Sequence, residues 1–261
     1  MSSANNRFDG KVVIVTGSSA GIGRASILRF GKEGASVVVH GQSKEKLESV
    51  KQDLLKAGVP ESRILVIAGS LEDESVHDRL IDETIKKFGR LDILINNAAI
   101  PGKPGIDSNS MEGYDAIMNI NVRAVYRLCQ LATPHLEKTK GSIVNITSDL
   151  SERPMPRTMP YSISKAALNH LTRNFARLLA EKNIRVNAVG AGLTETDFIT
   201  RMGMPKEVID HIMTDVIKTI PLQRASNADE QAEMIVNIAS PTNTYMTGSI
   251  IFNDGGIRIA H

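Results

Sequence analysis

A single cysteine, Cys129, is all that the 261 residues contain, so no disulfide can form within the chain. That scarcity suits a reducing compartment. Cys129 lies in the apolar, helical-looking stretch "YRLCQLA" and reads as a small core residue, not a reactive thiol. No apolar run approaches the ~20 residues that span a bilayer. The opening "MSSANNRFDG" is polar and lacks the apolar core of a secretory signal. Formal net charge is only +2, and the basic residues are scattered. The concentrated footprint of a nucleic-acid or membrane binder is therefore missing. The 6 histidines are equally dispersed, and no His, Cys, Asp and Glu group has metal-ligand spacing, so no metal is expected. These absences predict a soluble, cytoplasmic protein with neither nucleic acid nor membrane as partner.

What the chain does have is alternation. Hydrophobic residues make up 41% and charged residues 23%, enough to build a core and too apolar for disorder. "KVVIVTG" (11–17) is a β-branched run ending in glycine, followed by helical periodicity that stops at Gly34. Further apolar strands are predicted at 35–41, 63–69, 91–99, 141–148, 184–192 and 248–256. Amphipathic helices are predicted between them, at 44–58, 73–89, 111–138, from about Tyr161, and near 227–240. Near-continuous apolar strands alternating with helices imply a parallel sheet covered on both faces: an α/β, doubly wound, Rossmann-type fold. With no repeat, low-complexity tract or linker, 1–261 reads as a single domain.

Two apolar stripes run along 111–138. Met118, Val122, Val125, Cys129, Ala132 and Leu136 form one, and Ile117, Ile120, Ala124, Leu128 and Leu131 the other. One stripe is enough to sit on a sheet. The second suggests another covered surface, either a loop of the same chain or another subunit.

Two motifs carry chemistry. "TGSSAGIG" (16–23) lies between the first strand and the first helix. Its glycines, Gly17, Gly21 and Gly23, permit a tight turn and close approach of a ligand. The helix N-terminus behind them offers free N–H groups to a pyrophosphate, which makes a dinucleotide the expected ligand. In "PYSISKAALNHL" (160–171), Tyr161 precedes Lys165 by four positions. Carbonyl reduction by hydride needs a proton donor at the developing alkoxide. A phenol has a pKa near 10, and an ammonium one helical turn away would lower it. The spacing alone is weak, and a helix start with a solvated lysine fits it equally.

Taken in order, "TGSSAGIG", "NNAA" (96–99), Asn121 in "NINV", "IVNITS" (143–148) and "YSISK" (161–165) resemble the classical short-chain dehydrogenase/reductase family. The likeness runs from Lys11 to Gly256. It implies reversible hydride transfer between a nicotinamide cofactor and a carbonyl or secondary alcohol, with Tyr161 as general acid/base. By the same resemblance Lys165 tunes Tyr161 and holds the nicotinamide ribose. Ser148, thirteen residues before Tyr161, would hydrogen-bond the substrate oxygen, with Thr147 as its structural neighbour. Asn121 would support a water near the lysine; without the family it reads as a backbone-bonded polar residue. Gly17, Ser19, Gly21, Ile22, Gly23, Asn97, Tyr161, Lys165, Gly192, Thr194 and Thr196 are the implied cofactor contacts.

The chain departs from the family pattern at Ala99, Ser70 and Ala191, where Gly, Asp and Pro are usual. The tyrosine–lysine spacing of four is not that of an enoyl reductase. The segment 194–224 resembles the family's variable substrate lid, and the family points to a homo-oligomer, a dimer or a homotetramer. At the end of the second strand no acid occupies His40 to Lys44, so nothing there repels a 2′-phosphate. Gln42 and Ser43 can donate hydrogen bonds. NADP is therefore the expected cofactor, with NAD the alternative. The competing function is a cofactor-binding regulator or scaffold that has lost catalysis, whose mark would be loss of Ser148, Tyr161 or Lys165.

Overall fold

In the computed structural model, which describes residues 6–202 and 205–260, seven parallel strands form one sheet. The strands are β1 (Val12–Val15), β2 (Ser36–Gly41), β3 (Ile64–Ala68), β4 (Ile93–Asn96), β5 (Ser142–Ser148), β6 (Arg185–Ala191) and β7 (Ile250–Asn253). Their order is β3-β2-β1-β4-β5-β6-β7. The chain winds outward from β1 to β3, then returns to the other side of β1 at β4, and a crevice opens at that reversal.

Alternate residues of each strand feed opposite cores. Val13, Val15, Val37, Val39, Ile93 and Ile95 point to one face, Ile14, Val38 and Leu94 to the other. The first face is covered by α1 (Gly21–Lys32), α2 (Lys44–Lys56) and α8 (Ala228–Ala239). The second is covered by α3 (Glu74–Phe88), α5 (Ala124–Thr139) and α6 (Met159–Leu179). Both faces being dry, the strands carry no polar alternation. The expected doubly wound fold is the observed one.

Three details differ from the sequence reading. First, the predicted helix 111–138 is not continuous: α4 (Met111–Met118) and α5 are joined by a π-helical turn at Asn119–Arg123. Second, both of its apolar stripes are largely satisfied within one chain, because α5 packs on the sheet and against α3 while α4 and the π turn pack on α6. What stays outside is Tyr126, edge-on to Phe175, with Met111 beyond it on α4 and Met159, Ile163 and Leu178 on α6. Third, the expected lid region contains a full helix, α7 (Lys206–Thr219). Its apolar positions Ile209, Ile212, Met213, Val216 and Ile217 recur at helical spacing, a period masked by the charges between them.

The strands that carry the chemistry are cross-tied by a buried polar chain. Asn96 donates to the Asn145 side-chain oxygen at 2.9 Å, and Asn145 donates to Thr172 Oγ1 at 2.9 Å. This links β4, β5 and α6 in a dry environment, where an orphaned polar group is costly. Replacing Asn145 with Ala should lower stability by on the order of 3 kcal/mol, read as a reduced urea midpoint with unchanged slope.

Candidate active site

The turn after β1 is built for close backbone approach. Gly21 has φ +54°, and a Cβ at Gly23 would come within 2.4 Å of Asn97 Nδ2. Asn97 in turn buttresses the turn, donating to Thr16 O at 2.8 Å and to Gly17 O at 3.2 Å. Thr16 Oγ1 accepts from the backbone N–H groups of both Asn97 and Ala98 at 3.0 Å. The helix behind the turn has no side-chain cap at Ala20 and no acid in its first turn. By contrast, α2, α3, α4 and α8 are each capped, by Ser43, Asp73, Ser110 and Asn227. Free N–H groups, a positive dipole end and room beside glycine suit the pyrophosphate of a dinucleotide. Ile22 anchors this helix start on the core, and Ser19 lies against Gly41 of β2.

His40, on β2, supports the turn in a way that the sequence did not disclose. Its Nδ1 accepts from the Gly17 N–H at 3.1 Å, while its main chain exchanges bonds with Ser18. The ring is buried, and Nε2 has no hydrogen-bond partner among the described residues. Since Nδ1 accepts, Nε2 carries the proton of the neutral ring. Burial pushes the imidazole down to about 4.

At the adenosine end, Gln42 Nε2 donates to Ser70 Oγ at 3.5 Å, and Ser70 Oγ lies 3.5 Å from Glu72. Glu72 is itself paired with Lys103. The Ser43 hydroxyl oxygen is taken as the α2 cap, accepting from Lys46 N at 3.2 Å. Its O–H remains available.

The second half of the site comes from β5, β6 and α6. Ser148 ends β5 and is buried; Thr147 faces β6, its hydroxyl 3.4 Å from Val189 O. Ser148 Oγ donates to Asp149 Oδ1 at 3.1 Å and accepts from Leu150 N at 3.2 Å. Lys165 is buried, with Nζ donating to Ile146 O at 2.7 Å and standing 5.6 Å from the Tyr161 ring centroid. Phe198 packs 5.7 Å from Tyr161, centroid to centroid, and is the nearest sign of a wall from the expected lid segment. Asn121, in the π turn, donates to Ile100 O at 3.0 Å and to Ser164 Oγ at 3.1 Å, and accepts from Ile100 N at 2.9 Å. A π turn bulges the helix at one point, a device frequent at functional sites. Here it carries the amide across to the loop after β4.

Gly192, Thr194 and Thr196 close the far side. Thr194 Oγ1 donates to Gly192 O at 2.9 Å and shares a bond with Ser226. A Cβ on Gly21 would meet Thr196 Cγ2 at 3.2 Å, so the segment after β6 reaches the glycine turn. The sequence-predicted residues therefore gather along one edge, at the C-terminal ends of β1, β4, β5 and β6.

One expectation is reversed. Lys165 was expected to lower the Tyr161 phenol. Instead, burial raises that phenol above its ordinary value, the negative charge of Asp149 adds to the rise, and the Ser148 hydroxyl opposes it weakly. Burial also brings the Lys165 ammonium down to about 7. Desolvation penalises both charged forms and is the leading cause of both shifts.

A family model described as enoyl-(acyl carrier protein) reductase matches residues 17–258. A 3-oxoacyl-[acyl-carrier-protein] reductase of Thermotoga maritima is 34% identical over 254 residues, covering 97% of this chain and 100% of that one. A Caenorhabditis elegans short-chain dehydrogenase/reductase of unknown function, solved with cofactor, superposes with TM-score 0.93 at 34% identity, covering 98% and 97% of the two chains. A 7α-hydroxysteroid dehydrogenase solved with NADH and 7-oxo glycochenodeoxycholic acid gives TM-score 0.87 at 32% identity, again covering 98% and 97%.

The His40 ring sets an acid limit on this architecture. Its folded pKa of about 4 lies below the unfolded value of 6.5, so the unfolded chain holds the extra proton between those limits. Stability is full above pH 6.5 and falls as pH drops towards 4, by up to about 3 kcal/mol. Urea midpoints measured across this window should slope for the wild type, with that slope reduced in His40→Gln.

Proposed function

The chain belongs to the short-chain dehydrogenase/reductase family and is a nicotinamide-dependent oxidoreductase of carbonyl and alcohol substrates; we propose that Tyr161 is its general acid and base. The observation carrying this reading is the meeting of Ser148, Tyr161 and Lys165 beside the uncapped helix and glycine turn. When bound, the nicotinamide supplies or accepts the hydride. Tyr161 holds its proton firmly, because burial and the Asp149 charge disfavour the phenolate, and so stands ready to protonate an alkoxide. Lys165 titrates at about 7, which suits passing a proton onward at neutral pH. Asn121 positions the Ile100 loop against α6. A silent regulator has less to support it, since all three reactive side chains are present. The four-residue spacing of Tyr161 and Lys165 favours a carbonyl over an enoyl substrate.

The cofactor's pyrophosphate would lie on the N–H groups around Gly17, Ser19, Gly21, Ile22 and Gly23, backed by Asn97. Gly192, Thr194 and Thr196 would border its nicotinamide end. We favour NADP over NAD. Gln42 and Ser43 present donors at the ribose, and Glu72 is neutralised by Lys103. The protein reads as one domain, with 194–224 as its substrate lid: Phe198 faces Tyr161, and α7 exposes Val208. Exposed Tyr126, Ile163 and Leu178 favour a homo-oligomer, a dimer or tetramer meeting through α5 and α6. No helix among the described residues is long and apolar enough to cross a membrane. We place the protein in the cytoplasm.

Tyr161→Phe should keep the fold and cofactor binding while losing turnover by on the order of 10²–10⁴-fold, the worth of a general acid. Lys165→Met should lose turnover and some cofactor affinity as well. Normal turnover in the phenylalanine variant would refute the assignment. For cofactor choice, kcat/KM with one substrate should favour NADP(H) over NAD(H), and Lys44→Ala, which removes the cation at the first position of α2 that would attract a 2′-phosphate, should narrow the ratio. A preference of tenfold or more for NAD(H), about 1.4 kcal/mol, would reverse this choice.

A further inference from the structure

The two peptides that join Thr16, Gly17 and Ser18 are held from both sides. A trans peptide points its oxygen and its N–H in opposite directions. From β4, the Asn97 amide donates to both oxygens, Thr16 O at 2.8 Å and Gly17 O at 3.2 Å. From β2, His40 takes both N–H groups. Its Nδ1 accepts from Gly17 N at 3.1 Å, and its main-chain oxygen accepts from Ser18 N at 2.8 Å. The Thr16 N–H goes to Ile95 O at 3.0 Å. Beyond Ser18 the pattern changes. The N–H groups of Ser19, Ala20, Gly21, Ile22 and Gly23 are bound to no acceptor among the described residues.

We propose that His40 is a positioning residue for the cofactor: its Nδ1 fixes the first peptide of the glycine turn, and so keeps the free N–H groups from Ser19 to Gly23 in the array that a diphosphate takes up. This rests on the cofactor reading above and deepens it. Gly17 then serves the ligand by its shape, since its own N–H is already spent. The bond at Nδ1 is also the one that depends on the side chain; Ser18 would find a main-chain oxygen at any residue in position 40. Gly17 needs the restraint. Its φ is +65°, with Ala98 Cα 2.9 Å from where a Cβ would stand, and a residue without a Cβ can turn its peptide over at little steric cost.

Packing alone does not account for a histidine here. Strand alternation sends His40 to the same face as Val38, the side of the sheet that α3 covers. The ring is buried there, with Nε2 unpartnered among the described residues. Burying an unpaired donor is costly, and leucine or valine would fill a core position of the strand without that cost. What neither can do is accept a hydrogen bond. Asparagine can, because its Oδ1 stands as many bonds from the main chain as Nδ1 does. It replaces the acceptor and nothing else of the ring.

The fluorescence of bound NADPH and of bound NADH gives dissociation constants without any turnover. His40→Leu should raise both by roughly threefold or more, the worth of one neutral hydrogen bond. His40→Asn should bind both more tightly than His40→Leu by about the same factor. The loss should be equal for the two nucleotides, because they share the diphosphate and differ only at the ribose. Urea midpoints of the same variants separate this from a general loosening, which would rank affinity by stability whatever acceptor is present. Should His40→Leu fail to fold, His40→Val replaces it. A leucine variant that binds as the wild type does, or an asparagine variant no better than leucine, overturns the proposal. So does a loss confined to one nucleotide, or an affinity that follows the urea midpoint. A wild-type protein that binds neither nucleotide refutes the cofactor reading itself, and this proposal with it.

Discussion

Everything at the site hangs on the crossing from β1 to β4, where the sheet reverses its winding. Two side chains close it. Thr16 Oγ1 receives the N–H groups of Asn97 and Ala98, and the Asn97 amide returns bonds to Thr16 O and Gly17 O. A glycine turn has high conformational entropy when free, and these bonds fix it from outside. The same crossing sets where the loop after β4 begins. Two residues beyond Ala98, the Ile100 backbone is gripped on both its polar groups by Asn121, which also reaches Ser164 beside Lys165. Hydrogen bonds, joined through the short stretch of main chain from Ala98 to Ile100, thus connect the cofactor turn to the helix that carries Tyr161. The π turn is the local deformation that lets Asn121 complete it.

The second constraint is dryness. A low-dielectric cleft strengthens every directed interaction and makes free charge expensive. Tyr161 and Lys165 respond by moving towards their neutral forms. Asp149 is paired with Arg153 at 2.9 Å. The cleft consequently holds one compensated ion pair, a phenol that keeps its proton, and an amine that exchanges its proton near neutral pH. That is a suitable starting condition for proton transfer, and it needs no strained backbone.

Much of the fold was legible because burial on both faces leaves an unbroken apolar record in each strand, and Gly34 and Gly58 mark helix ends plainly. The site residues were legible by resemblance and by spacing along single elements, as with Tyr161 and Lys165 on one helix. What escaped the sequence depends on contacts between elements. His40 reads as an ordinary strand residue until β1 is laid beside it. The two stripes of 111–138 look like a subunit surface until α3 and α6 are seen to cover them. Helix α7 was hidden because its apolar positions are diluted by charge, as befits a helix with only Ile209 buried.

The sharpest difference lies in proton direction. Spacing placed an ammonium near a phenol and so suggested that the phenol would be acidified. Sequence carries no record of dielectric, and here desolvation decides the sign.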